Sequence, residues 1–452
     1  MNLTIVGAGY VGIVTAACLA HLGHDVTCLD IDAERVERLQ LGNLPVHEPG
    51  LDDMVRSGLM AGRLRFTTDR ARVHDSDLVI VCVGTLDANE EWTGALVQRV
   101  VEDLAADRAA PRQIVVRSTL MPGTAVRLAA AVASIDPTVR IAHNPEFTRE
   151  ATAVSDFLEP DRVVIGVDGH DDGAEGTALA DALRSVYQAL DTPVFTTDLT
   201  SAETIKLASN VFLAAKVTFA NELARLAAVT GADANAVVDG MGLDRRISRN
   251  FLSPGPGFGG SCFPSQARAL PELARRYGVS TPIMSAIWPS NMAQAEWLLD
   301  GLEHAAGRSI SGMRVALLGL TFKAGTDDLR ESPALRLGEL LLGRGASVSA
   351  YDPTATEAGI KQLRSMRVSL SPVVDGATDV AKACTDADAV VVATEWPEFA
   401  QVDWSAIAPT MAGRVIVDGR GIIDVEAAGA AGLRVVSLGV ESGAGTGAIR
   451  RA

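Results

Sequence analysis

The sequence predicts an α/β protein with two Rossmann-like, doubly wound domains joined by a central helical domain that carries a long connecting helix. Three observations carry that expectation. Short apolar runs alternate with helical patterns from Leu3 to Thr119, and the same alternation restarts at about residue 313. Between them, residues 200–230 hold a helical pattern without glycine or proline. The expected boundaries are 1–199, 200–304 and 305–452, since 452 residues exceed one ordinary domain.

Composition narrows the function classes. An apolar share of 48% is ample for globular cores, and 40 Lys+Arg against 56 Asp+Glu give a net charge of −16. Such a surface repels nucleic acid and anionic membranes, so neither is an expected partner, and an anionic ligand must be held by local cations or backbone N–H groups. No basic segment leads an apolar core at the N-terminus, and no apolar run approaches membrane-spanning length. Cysteines at 18, 28, 82, 262 and 384 show no paired spacing. That pattern fits a reducing cytoplasm and argues against disulfides and a structural metal.

In chain order, the first run enters Gly7-Ala8-Gly9-Tyr10-Val11-Gly12 and a helical pattern to about His21. A second run, Val26 to Leu29, ends on Asp30, with Asp32 just beyond. Strand, glycine turn, helix, strand and acid form the dinucleotide-binding fingerprint. The glycines allow a tight turn and close approach of a pyrophosphate, and the acid accepts from ribose hydroxyls, which favours NAD over NADP. Runs 77–83 and 113–117 end in Gly84-Thr85 and Ser118-Thr119. Strand carboxyl ends face the ligand crevice in such folds, so Thr85 and Thr119 are candidates for contact with cofactor or substrate. A threonine closing a local turn is the plainer alternative.

Further on, Glu146 and Glu150 stand four apart, which one helical turn would bring to one face as an acid–base pair. Glutamates dressing a first helical turn would look the same. On the long helical pattern, Glu203, Lys206 and Asn210 share a stripe, and Lys206 and Asn210 are donors suited to an oxyanion, with a solvated lysine in an i,i+4 pair as the plainer alternative. Its length suits a join between domains and packing against a second subunit. Arg245, Arg246 and Arg249 then lead to Gly255-Pro256-Gly257-Phe258-Gly259-Gly260-Ser261-Cys262-Phe263-Pro264. Glycines there admit a bulky ligand to the backbone, beside a thiol able to attack a carbonyl; a flexible surface loop with a bystander cysteine is the plainer alternative. In the last α/β unit, Leu320-Thr321-Phe322-Lys323 replaces the glycine turn, and Lys323 and Arg330 flank Thr326-Asp327-Asp328.

In this order the pieces resemble the UDP-glucose/GDP-mannose dehydrogenase family from end to end, nearest its UDP-glucose 6-dehydrogenase branch. The resemblance rests on GAGYVG, Asp30 and Asp32, PVHEPGL (45–51), NPEF-x-RE, the E-x-x-K-x-x-x-N helix, GPGFGGSCFP and FKAGTDDLRESP (322–333). It implies a four-electron oxidation of a primary alcohol to a carboxylate with NAD, through a cysteine thiohemiacetal and thioester. By motif, Cys262 is the implied nucleophile, Lys206 and Asn210 hold the oxyanion, Thr119 and Glu150 hold or activate water, and Glu146 supports the site. Gly7, Gly9, Tyr10, Val11, Gly12, Asp30, Thr85 and Arg330 are implied for NAD. Phe258, Gly259 and Lys323 lie along the nucleotide sugar, and Arg246 reaches a neighbouring subunit's diphosphate. The implied domain roles are NAD binding, dimerisation with the cysteine loop, and UDP-sugar binding. A cytoplasmic homodimer acting on UDP-glucose is the expectation, with dTDP-glucose or another nucleotide sugar as the alternative. The chain departs from the family at Ser265 and Gln266, where Lys-Asp is usual, and at Leu86, Thr148 and Ser248. Without the aspartate, impaired turnover or a purely binding role is a further alternative.

Overall fold

The computed structural model describes residues 1–86, 92–168, 174–366 and 373–438. They form two compact units, 1–209 and 210–452. The first is built on strands β1 Asn2–Val6, β2 Asp25–Leu29, β3 Leu64–Thr67, β4 Leu78–Val81, β5 Gln113–Val116, β6 Arg140–His143, β7 Val163–Val167 and β8 Val194–Asp198. They lie in the order β3-β2-β1-β4-β5-β6-β7-β8. All pairs are parallel except β6 with β7. Both faces are covered. Leu3, Ile5, Leu78 and Ile80 face one apolar core, and Val79, Val81, Ile114 and Val116 face another. Burial on both sides explains why these strands read as continuous apolar runs without polar alternation.

The second unit repeats the scheme with β9 Arg314–Leu318, β10 Ser347–Tyr351, β11 Val374–Gly376, β12 Ala389–Val392, β13 Val415–Asp418 and β14 Arg434–Ser437. Their order is β11-β10-β9-β12-β13-β14, parallel throughout. Its larger core takes in Ala224, Ala227 and Ala228 from the end of the long helix and Leu298, Leu299 and Leu302 from the helix Pro282–Ala306. The long helix itself runs Leu199–Thr230, close to the expected 200–230.

Two local features differ from the sequence reading. No helix forms over 146–150; the chain there is irregular, following β6. Pro145 disfavours helical geometry at Asn144, and Glu146 turns its carboxylate onto the Thr148 N–H and hydroxyl, each at 2.7 Å. The strands β3, β6, β7, β8, β11 and β14 add to the runs read from sequence, each only three to five residues long.

Candidate active site

The glycine turn follows β1, and each of its glycines is there for a different reason. Gly7 has φ +104°, and a Cβ on it would meet the Cys82 carbonyl oxygen at 2.8 Å. A Cβ on Gly12 would lie 1.9 Å from the Gly7 carbonyl oxygen. Gly9, which precedes the helix Tyr10–His21, faces open space. The turn is thus closed against the protein at Gly7 and Gly12 and open at the helix N-terminus, where a pyrophosphate is stabilised by N–H groups and the helix dipole. This arrangement fits a dinucleotide.

Asp30 directly follows β2 and is 9% exposed. One of its oxygens accepts from the Ala8 N–H at 2.6 Å and from Arg35 at 3.3 Å, and the other from the Asp32 N–H at 2.9 Å. Asp30 therefore joins the glycine turn to the start of the next helix, and its remaining lone pairs suit hydroxyl donors. A cleft of about 200 Å³ lies alongside, lined by Asp32, Glu34, Arg35, Arg38 and Pro45. Arg35 escaped the sequence reading, because a lone arginine two residues into a helix carries no local signal.

Tyr10 and the segment just after Glu150 are joined through Glu48, which the sequence shows only within the PVHEPGL motif. Glu48 is buried; it accepts the Tyr10 hydroxyl and, at 2.7 Å each, the Ala151 and Ala153 N–H groups. Burial and the Glu48 hydrogen bond push the Tyr10 phenol far above its ordinary value, so it stays a neutral donor. Glu48 thereby pins the chain just after Glu150 to the turn that would carry the cofactor.

Thr85, Thr119 and Glu146 follow β4, β5 and β6, three adjacent strands of the first sheet. Val11 sits in the first turn of the helix after the glycines. The Thr85 carbonyl accepts from the Gly94 N–H at 3.2 Å. Lys206, 2% exposed, donates to Glu146 at 2.9 Å, and Glu146 is 7% exposed. Burial alone raises the Glu146 carboxyl, but the Lys206 charge and the bonds from Lys206 and Thr148 outweigh it and hold it below its ordinary value. Phe147 lies between Arg162, 4.1 Å from its ring centre, and Lys206, 5.3 Å away. His143, just before this loop, donates through Nδ1 to the Val116 carbonyl and is pushed down to about 4 by burial, so it is neutral.

The second unit holds the cysteine loop. Cys262 is exposed, whereas Cys18, Cys28, Cys82 and Cys384 are buried. It caps the helix Phe263–Arg276, with Pro264 in the first turn, at a position where a helix's partial charge favours an anion. Its sulfur lies 3.5 Å from the Ser261 hydroxyl. The glycines before it are tightly seated. Phe258 exchanges hydrogen bonds with the Asn291 side chain, at 2.8 and 3.1 Å. A Cβ on Gly259 would fall 2.4 Å from the Glu331 carbonyl oxygen, and the Gly260 N–H donates to the Arg330 carbonyl at 2.9 Å. The backbone of Arg330 thus anchors the loop, while its side chain pairs with Asp328 at 2.7 Å. Lys323 stands 5.5 Å from the Phe322 ring centre. Asn210 is 8% exposed on the long helix, and Arg246 is 87% exposed at its side chain and paired with Asp244. Arg420, absent from the sequence reading, donates to the Ala393 and Phe322 carbonyls at 2.9 and 3.1 Å. Gln266, one helical turn after Cys262, is 1% exposed, and its Oε1 has no hydrogen-bond partner.

Three family models cover most of the chain. They are those of the NAD binding domain of the UDP-glucose/GDP-mannose dehydrogenase family over residues 1–191, its central domain over 200–293 and its UDP binding domain over 316–425. The UDP-glucose 6-dehydrogenase of Rhizobium meliloti is 38% identical over 444 residues, 97% of this chain and 99% of that protein. That of Pseudomonas aeruginosa is 41% identical over 434 residues, 93% and 94% of the two chains. Among solved structures, a UDP-glucose dehydrogenase from Pyrobaculum islandicum matches with a TM-score of 0.83 and 35% identity, covering 93% of this chain and 94% of that one. A UDP-D-ManNAc dehydrogenase from Pyrococcus horikoshii matches with a TM-score of 0.82 and 26% identity, covering 97% and 99%.

Proposed function

The chain belongs to the UDP-glucose/GDP-mannose dehydrogenase family, and on that premise we propose that it oxidises C6 of UDP-glucose from alcohol to carboxylate with two NAD+ per sugar. The observation that carries the proposal is the exposed Cys262 thiol at a helix N-terminus, at the end of a glycine loop closed against Phe322, Glu331 and Pro333. Bound NAD+ supplies a hydride acceptor. The Cys262 thiolate adds to the C6 aldehyde, giving a thiohemiacetal whose oxygen Lys206 and Asn210 stabilise. Loss of a second hydride leaves a thioester, and water held by Thr119 and Glu150 hydrolyses it to the acid and the thiol. Overall one alcohol, one water and two NAD+ become one carboxylate, two NADH and three protons. Glu146 holds Lys206 in place through their ion pair.

Gly7, Gly9, Tyr10, Val11, Gly12, Asp30, Thr85 and Arg330 are assigned to the cofactor. Phe258, Gly259 and Lys323 are assigned to the nucleotide sugar, and Arg246 to the diphosphate of a neighbouring subunit. The corresponding domains are 1–199, 200–304 and 305–452. A homodimer is supported by the long helix, which exposes Phe212, Phe219 and Leu226 at successive heptad positions. A cytoplasmic location is supported by five cysteines without paired spacing. Among the described residues no helix is long and apolar enough to cross a membrane.

The test is the NADH yield from limiting UDP-glucose, with dTDP-glucose run in parallel. Two NADH per UDP-glucose is the expected result, and none from either sugar nucleotide overturns the proposal. The buried Gln266 supports a second reading, in which thioester hydrolysis is slow because an amide cannot accept a proton. A burst of NADH followed by a slow steady rate would identify it. For the cofactor, Asp30→Asn is expected to raise the KM for NAD+ roughly tenfold or more, by weakening charge-assisted bonds to ribose. It should also narrow the preference over NADP+. Initial rates with both cofactors measure this.

A further inference from the structure

Glu203 is fully buried on the long helix, one turn before Lys206. Its two oxygens accept from the Gly123 and Ala125 N–H groups, both at 2.6 Å. Those amides open the helix Thr124–Ile135, whose capping residue is Gly123 at φ +86°. A glycine is needed for that backbone and has no side chain to satisfy the first N–H groups, so the cap is supplied by a residue 80 positions away in sequence. The segment between β5 and this helix contains Thr119. Its near end is fastened by the Ser118 hydroxyl, which donates to the Val83 carbonyl at 2.6 Å. Its far end is held by Glu203. The next turn of the same long helix delivers Lys206 to Glu146 at 2.9 Å.

From this geometry we infer that Glu203 is a positioning residue: it fixes the Thr119 loop to the helix that bears Lys206, so that the water-holding and oxyanion-holding groups keep one spacing through both oxidation steps. The inference rests on the reading of the function given above for the roles of Thr119 and Lys206. The position of the loop itself does not depend on that reading. Burial pushes the Glu203 carboxyl up to about 7, against the pull of the Ala125 and Gly123 amides and the Arg127 charge. An acid is therefore kept where burial opposes its charge. That choice is accounted for by the need for two acceptors reaching the Gly123 and Ala125 N–H groups at once, which neither an amide nor a hydroxyl provides.

Glu203→Gln tests the inference, because it preserves volume and reach but turns an NH2 toward one of the two donors. Glu203→Ala serves only as a severe comparison. Two measurements are made on the folded full-length protein, well below its melting temperature. Amide hydrogen exchange over 118–126 is expected to speed up at least tenfold in Glu203→Gln, with the segment 5–15 around the glycine turn unchanged. The kcat for UDP-glucose oxidation is expected to fall roughly tenfold to hundredfold, the scale set by sub-ångström misplacement of reacting groups, with both KM values within twofold. Unchanged exchange over 118–126 overturns the inference whether or not the protein is active. Loosened exchange with a wild-type kcat also overturns it, reducing Glu203 to a helix cap. Failure of the wild-type protein to form NADH overturns the functional reading instead, and the exchange result then decides alone whether Glu203 positions the loop.

Discussion

Cys262→Ala is expected to form no detectable carboxylate from UDP-glucose, a loss of roughly a thousandfold or more. Alanine preserves the helix start at Phe263 and leaves the glycine loop's contacts with Phe322 and Pro333 untouched, so the fold should survive. What disappears is the proposed nucleophile that would hold the aldehyde covalently for the second hydride loss. The variant should therefore release at most one NADH per sugar, with aldehyde trapped by an added hydrazine. Chromatography of the nucleotide sugars and NADH absorbance measure both outcomes. Acid production at the wild-type rate would exclude the covalent route. The other four cysteines are poor substitutes: all are buried, and burial pushes Cys18, Cys82 and Cys384 up to about 12, which holds them as thiols.

Lys206→Met carries the second large effect, on stability and on rate together. Removing Lys206 leaves Glu146 buried and without its cation, which costs about 3–5 kcal/mol in comparable buried pairs. The rate should fall roughly a hundredfold to a thousandfold, as when an oxyanion donor is lost. The pH dependence distinguishes this from simple loss of packing. In the wild type the Glu146 carboxyl is depressed below its ordinary 4.5, so its contribution is present above that pH and is lost as pH falls through the folded-state value. In the variant burial still raises the carboxyl and the largest opposing charge is gone. Its ionisation then weakens the folded state at neutral pH, and protonation relieves the penalty. The stability gap between the two proteins should therefore narrow from pH 7 towards pH 4. Urea unfolding at several pH values measures it, and a gap of constant size would refute the role given to this pair.

Much of the architecture is local chemistry. The apolar run before Gly7, the open face at Gly9 and the acid following β2 are set by neighbours in sequence. The long helix is likewise legible, because thirty residues lack glycine and proline and its caps lie outside the stretch. The edge strands β3, β8 and β11 are less so: Arg65, Thr196, Thr197 and Asp375 interrupt them, so no apolar run marks them and their pairing partners define them. Glu146 illustrates the limit at the site. Its spacing from Glu150 suggested a helical face, whereas the chain after Pro145 is irregular and the partner of Glu146 is Lys206, sixty residues on.

The fold class, the family motifs and the glycine turn are legible without the fold, because each is written in short runs whose backbone geometry admits few alternatives. That Glu48 ties Tyr10 to the segment after Glu150, that Glu203 caps a distant helix and that Glu146 pairs with Lys206 emerges from the folded protein alone. The physical reason is burial. A carboxylate withdrawn from water must find donors or a cation, and which ones it finds depends on elements that meet only once the sheet has assembled.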